Sequence, residues 1–92
     1  MRVQAHIIGY GRVKNIFWAY ALKEFAQRHN ITGWVKITSS ESVEIILQGE
    51  KEKVEALVKW MYTGNQYGKI THAKVVWNNN FNTEYRNFTV MR

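Results

Sequence analysis

The chain predicts an α+β fold in which two helices cover one face of an antiparallel sheet. Three observations lead there. Residues 1–8 alternate apolar and polar, as a half-buried strand does. Residues 17–29 and 50–62 carry apolar side chains at helical spacing. Runs rich in Ile, Val, Thr and Trp lie between and after them. The order is β-α-β-β-α-β with one extra strand, the ferredoxin-like split βαβ arrangement, an α/β sandwich.

Each element has its own warrant. In the first strand Met1, Val3, Ala5 and Ile7 face one way, and Arg2, Gln4 and His6 the other. Residues 9–16 read as a loop, because Gly9 and Gly11 permit a tight backbone. Trp18, Ala21, Leu22, Phe25 and His29 mark the apolar side of the first helix, and Asn30 is placed to cap its end. Residues 31–38 and 43–48 form a strand pair joined through Ser39–Ser42. Val54, Leu57, Val58 and Met61 form the stripe of the second helix, with Glu55 and Lys59 at ion-pairing spacing. Thr63-Gly64-Asn65 stops it. Residues 66–72 read as a connection, 73–77 and 86–91 as strands, and Asn78-Asn79-Asn80 as a loop.

Composition narrows the classes. Ninety-two residues predict one domain, residues 1–92. With 46% hydrophobic residues and no Pro the chain is too apolar for disorder. No apolar run is long enough to span a membrane, and MRVQAHII reads directly as a strand rather than a signal peptide. Cysteine is absent, which excludes disulfides and thiolate chemistry and fits a cytoplasmic protein. The formal net charge is +6, from thirteen basic residues against seven Glu. Residues 1–40 hold Arg2, Arg12, Lys14, Lys23, Arg28 and Lys36 against Glu24 alone. Such a basic half attracts phosphate groups or simply keeps the chain soluble.

The stretch Gly9-Tyr10-Gly11-Arg12-Val13-Lys14-Asn15-Ile16-Phe17-Trp18-Ala19 links the first strand to the first helix. It contains neither a nucleotide P-loop nor a dinucleotide fingerprint. A strand-to-helix turn can still point backbone N–H groups at an anion. Gly11 to Ala19 resembles the signature G-x-V-Q-G-V-x-F-R of the acylphosphatase family. Gly33-Trp34-Val35-Lys36-Ile37-Thr38-Ser39-Ser40-Glu41-Ser42-Val43-Glu44 resembles that family's second block, G-W-V-x-N-x-x-D-G-x-V-E. Gly49 matches the glycine after that strand, and Ala73-Lys74-Val75 and Phe88-Thr89-Val90 resemble the last two strands.

The resemblance implies a hydrolase fold for acyl phosphates, with no cofactor, metal or covalent intermediate required. Loop N–H groups and an arginine hold the phosphoryl oxygens, and an asparagine orients the attacking water. The family arginine falls on Ala19 and the family asparagine on Ile37, so whether the chain is an enzyme is open and hydrolysis is expected to be lost or strongly impaired. A residual phosphate-binding loop is expected over Arg12, Val13, Lys14, Asn15, Ile16 and Phe17, with phosphate or an acyl phosphate as ligand. Asn15 stands where the family has glycine, and Asn tolerates positive φ.

Two alternatives remain. Arg12 or Lys14 substitutes for the missing arginine and the enzyme is active. Or the chain is a basic ferredoxin-like nucleic-acid-binding module, stacking bases on Trp77, Tyr85 and Tyr10 beside Arg12, Lys14, Lys36, Lys74 and Arg86. No RNP-type motif is present, so sequence-specific nucleic-acid recognition is not expected. His6, His29 and His72 have no metal spacing. Glu44 and Glu84 have no evident partner. The oligomeric state is left open.

Overall fold

Alternation carries the first strand further than the glycines suggest. In the computed structural model, which describes residues 1–92, β1 runs from Arg2 to Arg12, burying Val3, Ala5, Ile7 and Gly9 on one face. The expected loop at 9–16 shrinks to Val13–Asn15. The glycines serve strand pairing instead. The register slips between Tyr10 and Gly11 against the edge strand β4 (Lys69–Asn78), and Gly11 takes φ 153° there. A Cβ on Gly11 would lie 2.3 Å from the Lys69 carbonyl oxygen, so a side chain would push the bulge apart.

The helix α1 (Ile16–Arg28) starts at an Asn15 cap. It ends at His29, followed by Asn30 in the left-handed region at φ 56°, the expected terminator. Then come β2 (Thr32–Ser39), a tight turn at Ser40-Glu41, and β3 (Ser42–Glu50). The helix α2 (Lys51–Thr63) follows without a linker and stops at Gly64. The expected connection at 66–72 is shorter than foreseen, because β4 begins at Lys69 to pair with Arg12 and Gly11. The last strand, β5, spans Phe88–Met91.

The five strands lie in the order β4-β1-β3-β2-β5. The first four pair antiparallel. β5 pairs parallel to β2, so the sheet is mixed, not wholly antiparallel as expected. The reason is the route of the chain. From the outer edge at β4, residues 79–87 pass over the helix-free face to the opposite edge. Gln48, fully buried on that face, anchors them. Its amide donates to Gln4 (2.8 Å) and to the Thr83 carbonyl, and its oxygen accepts from the Tyr85 N–H (3.1 Å). A buried amide with its groups paired costs little and fixes the crossover.

Both helices cover the other face. Trp18, Leu22 and Ala26 of α1 and Val54, Leu57 and Met61 of α2 close on Ala5, Ile7, Ile45 and Leu47 of the sheet. Trp18 stacks on Trp60 across the helix pair, ring centroids 6.3 Å apart. Phe88 packs into this core. Glu55 and Lys59 do not pair; the i,i+4 ion pair that forms is Glu24–Arg28, at 2.9 Å. The N-terminal ammonium bonds Glu50 at 2.9 Å and holds that carboxyl below its ordinary range. Two acids expected to be unpartnered have partners. Glu44 meets His6 Nε2 at 2.7 Å and Glu84 meets Arg2 at 3.1 Å. His6 and Glu44 lie on diagonal positions of adjacent strands, a relation only the register reveals. No helix is long and apolar enough to cross a membrane.

Candidate phosphate site at the β1–α1 loop

Val13-Lys14-Asn15 must turn the chain from the sheet into α1. Val13 anchors the turn, its side chain fully buried in the core. Asn15 is extended, with φ −75° and ψ 119°, so it does not use the positive φ expected of a glycine substitute. It acts as an N-cap: its Oδ1 accepts the Phe17 N–H at 2.9 Å, while its carbonyl accepts from Trp18 N at 2.9 Å. The Phe17 N–H, expected in an anion cradle, is therefore already engaged. The N–H groups of Val13, Lys14 and Asn15 have no acceptor within the protein. The first turn of α1 holds no acidic residue to offset its positive end.

Replacing Asn15 by Ala is expected to lower stability by about 0.5–2 kcal/mol, the usual cost of losing a side-chain cap. A denaturant melt checks this; a lower midpoint with an unchanged slope is the expected result.

An open cleft of about 720 Å³ borders the loop, lined by Gly11, Arg12, Lys14, Asn15, Ser40, Glu41, Gln66, Tyr67 and Thr71. Of the loop residues singled out from sequence, Arg12, Lys14 and Asn15 line it. Neither Arg12 nor Lys14 is engaged in an ion pair. Ile16 is half-buried against the core, and Phe17 is exposed against Tyr67, ring centroids 5.6 Å apart. Ala19 is fully buried and Ile37 is partly buried against the same core; neither lines the cleft.

The remaining wall comes from segments that sequence reading treated as connections. Ser40 and Glu41 sit in the β2–β3 turn, and the Glu41 carbonyl accepts from Gly11 N at 3.0 Å. Asn65 Oδ1 takes the Tyr67 N–H at 2.8 Å and fixes the tight turn before β4. Gly68 completes it: a Cβ there would meet the Arg12 carbonyl oxygen at 1.9 Å, so only glycine lets this turn close on the end of β1. Thr71 Oγ1 donates to the Tyr10 carbonyl at 3.2 Å. The one local signal available was Asn65 and Gly68 bracketing Gln66-Tyr67, a turn pattern.

Chemically, the cleft can receive an anion. Lys14 and Asn15, whose N–H groups are free, the cationic side chains of Arg12 and Lys14, and the uncompensated start of α1 lie along one wall, with the free Val13 N–H in the same loop. Glu41 gives the opposite wall a negative charge.

Comparison with known proteins agrees with this architecture. The acylphosphatase family model matches residues 5–90. The chain is 33% identical to the acylphosphatase of Thermococcus kodakarensis over 76 residues, covering 83% of this chain and 84% of that one. It is 26% identical to the acylphosphatase of Pelotomaculum thermopropionicum over 89 residues, covering 97% and 96%. The crystal structure of the Bacillus subtilis acylphosphatase superposes with a TM-score of 0.87 at 24% identity, over 98% of this chain and 99% of that one, a match of fold. With a family model matching residues 5–90 and a relative 33% identical over 83% of its length, the chain belongs to the acylphosphatase family.

Proposed function

We propose that this family member keeps a phosphate-binding loop at Arg12–Asn15 and has lost, or retains only slightly, the hydrolysis of acyl phosphates. The observation that carries the reading is the state of two positions. Ala19 and Ile37, which the signature blocks align with a catalytic arginine and asparagine, are apolar and drawn into the core. A methyl group cannot spread phosphoryl charge, and a sec-butyl group cannot orient water. What remains is ground-state capture: the N–H groups of Val13, Lys14 and Asn15 receive phosphoryl oxygens, and Arg12 and Lys14 supply charge at the same wall. Binding without differential stabilisation of the transition state does not accelerate a reaction.

A second reading has its own support. Arg12 and Lys14 line the cleft unpaired, so one of them can stand in for the missing guanidinium. Lys14 would do so as a point charge, without the bidentate fork of arginine. Nothing comparable replaces the asparagine, because Lys36 and Thr38 alternate away from Ile37 along β2.

Phosphate titration followed by amide NMR tests the loop. The Val13, Lys14 and Asn15 amides are expected to shift at millimolar phosphate, while the amide of Gly64, at the C-terminal end of α2, stays put. Unmoved loop amides would remove the phosphate site.

A further inference from the structure

The helix-free face of the sheet is a second surface with chemistry that the loop does not use. Strand register lays its side chains out in rows. Val76, His6, Ile46, Trp34 and Thr89 form one row; Lys74, Ile8, Glu44, Lys36 and Met91 form the next. His72, Tyr10 and Ser42 follow. The crossover at 83–85 roofs the end around Gln4 and Gln48 and reaches Trp34 through the Tyr85 hydroxyl, and Ile46 beside them is buried. Beyond it the face is open: Tyr10 is 45% and Val76 50% exposed.

The lysines of this face are free of ion pairs, although Glu44 stands in their row, directly opposite Lys36. Glu44 is taken up by His6 and Glu84 by Arg2, whereas Lys36 and Lys74 have no acidic partner within ion-pair distance. The aromatic groups stand at two corners. At one, Trp34, Tyr85, Arg86, Asn87, Thr89 and Met91 line a shallow cleft of about 430 Å³. Its lining includes two aromatic side chains, a guanidinium, an amide and a hydroxyl, and Trp34 Nε1 donates to the Tyr85 hydroxyl at 3.4 Å. At the other, the Tyr10 and His72 rings lie 6.0 Å apart. The corners are two strands and four residues apart, roughly 17 Å by strand spacing and rise. Trp77 takes no part: it pairs with core-facing Ala5 and borders a different cleft with Met1 and Val3.

We propose that this face binds single-stranded nucleic acid without sequence preference. One base enters the Trp34–Tyr85 cleft, another stacks on Tyr10, and Lys36 and Lys74 meet the phosphates between them. Stacking accepts any base, and unpaired lysines attract any phosphate chain, so the occupant is defined by its unstacked bases and its charge. A duplex hides the base faces this surface offers.

The test is fluorescence anisotropy of labelled oligouridylate and oligothymidylate, about ten nucleotides long, with the whole chain. Binding is expected to weaken with salt. Tyr10→Ala is expected to reduce affinity roughly 5- to 150-fold, the range for one lost base stack of about 1–3 kcal/mol. Lys36→Gln with Lys74→Gln, both exposed and harmless to folding, is expected to flatten the slope of log K against log salt by about 1.4. Three results would overturn the proposal. One is no anisotropy change at low salt. Another is equal competition by a duplex of the same length. The third is affinity that ignores both face variants and falls only with Arg12→Gln and Lys14→Gln, which would assign the binding to the loop.

Discussion

Ala19→Arg combined with Ile37→Asn is expected to raise acyl-phosphate turnover by at least about 10²-fold over the unaltered chain. Removing one preorganised transition-state donor costs about 10²–10³ in rate, and the pair restores two such groups. Either single change is expected to gain far less, because groups that act on one transition state work as a unit. The scaffold resists the repair. Ala19 has no exposed surface and Ile37 packs on the core, so the double variant should melt earlier than the parent. Turnover of benzoyl phosphate by the parent, both singles and the double, each shown folded, reads the outcome. A folded double variant that binds phosphate and gains nothing would shift the defect to the loop, where Asn15 occupies the Phe17 N–H.

Trp18→Ala is expected to cost about 3–5 kcal/mol, enough to leave a chain of this size barely folded. Trp18 has no exposed surface and joins the two helices through Trp60. Its indole Nε1 is buried without a hydrogen-bond partner. Trp18→Phe therefore sacrifices ring area but no hydrogen bond, leaves a smaller cavity, and is expected to cost clearly less than Trp18→Ala. Equilibrium denaturation of both variants separates the terms. Equal losses would mean that the N–H contributes stability its geometry does not account for.

Much of this fold is legible in the residues because burial and periodicity coincide. Val3, Ala5 and Ile7 alternate into the core, and Val54, Leu57 and Met61 form the buried stripe of α2. Where local signals mislead, long-range contacts are the cause. Gly9 and Gly11 imitate a turn, yet they lie in a strand whose partner β4 comes too close for side chains. The start of β4 is polar and exposed on both sides of Ile70, since an edge strand needs little apolar surface. The parallel pairing of β5 depends on a crossover held by Gln48, and no single stretch encodes it.

The candidate site divides the same way. The loop that contributes Arg12, Lys14 and Asn15 is contiguous and carries its own signature. Ser40, Glu41, Gln66, Tyr67 and Thr71 reach the cleft only because β1 is flanked by β3 on one side and β4 on the other. The inward turn of Ala19 shows only in the fold: its methyl reads as a good helix former and nothing more.

The most direct measurement is the steady-state hydrolysis of benzoyl phosphate by the unaltered chain, run beside the Thermococcus kodakarensis acylphosphatase under the same conditions. With Ala19 and Ile37 in place, turnover is expected at least about 10²-fold below that relative. Hydrolysis at the relative's rate would contradict the account and transfer catalysis to Arg12 or Lys14.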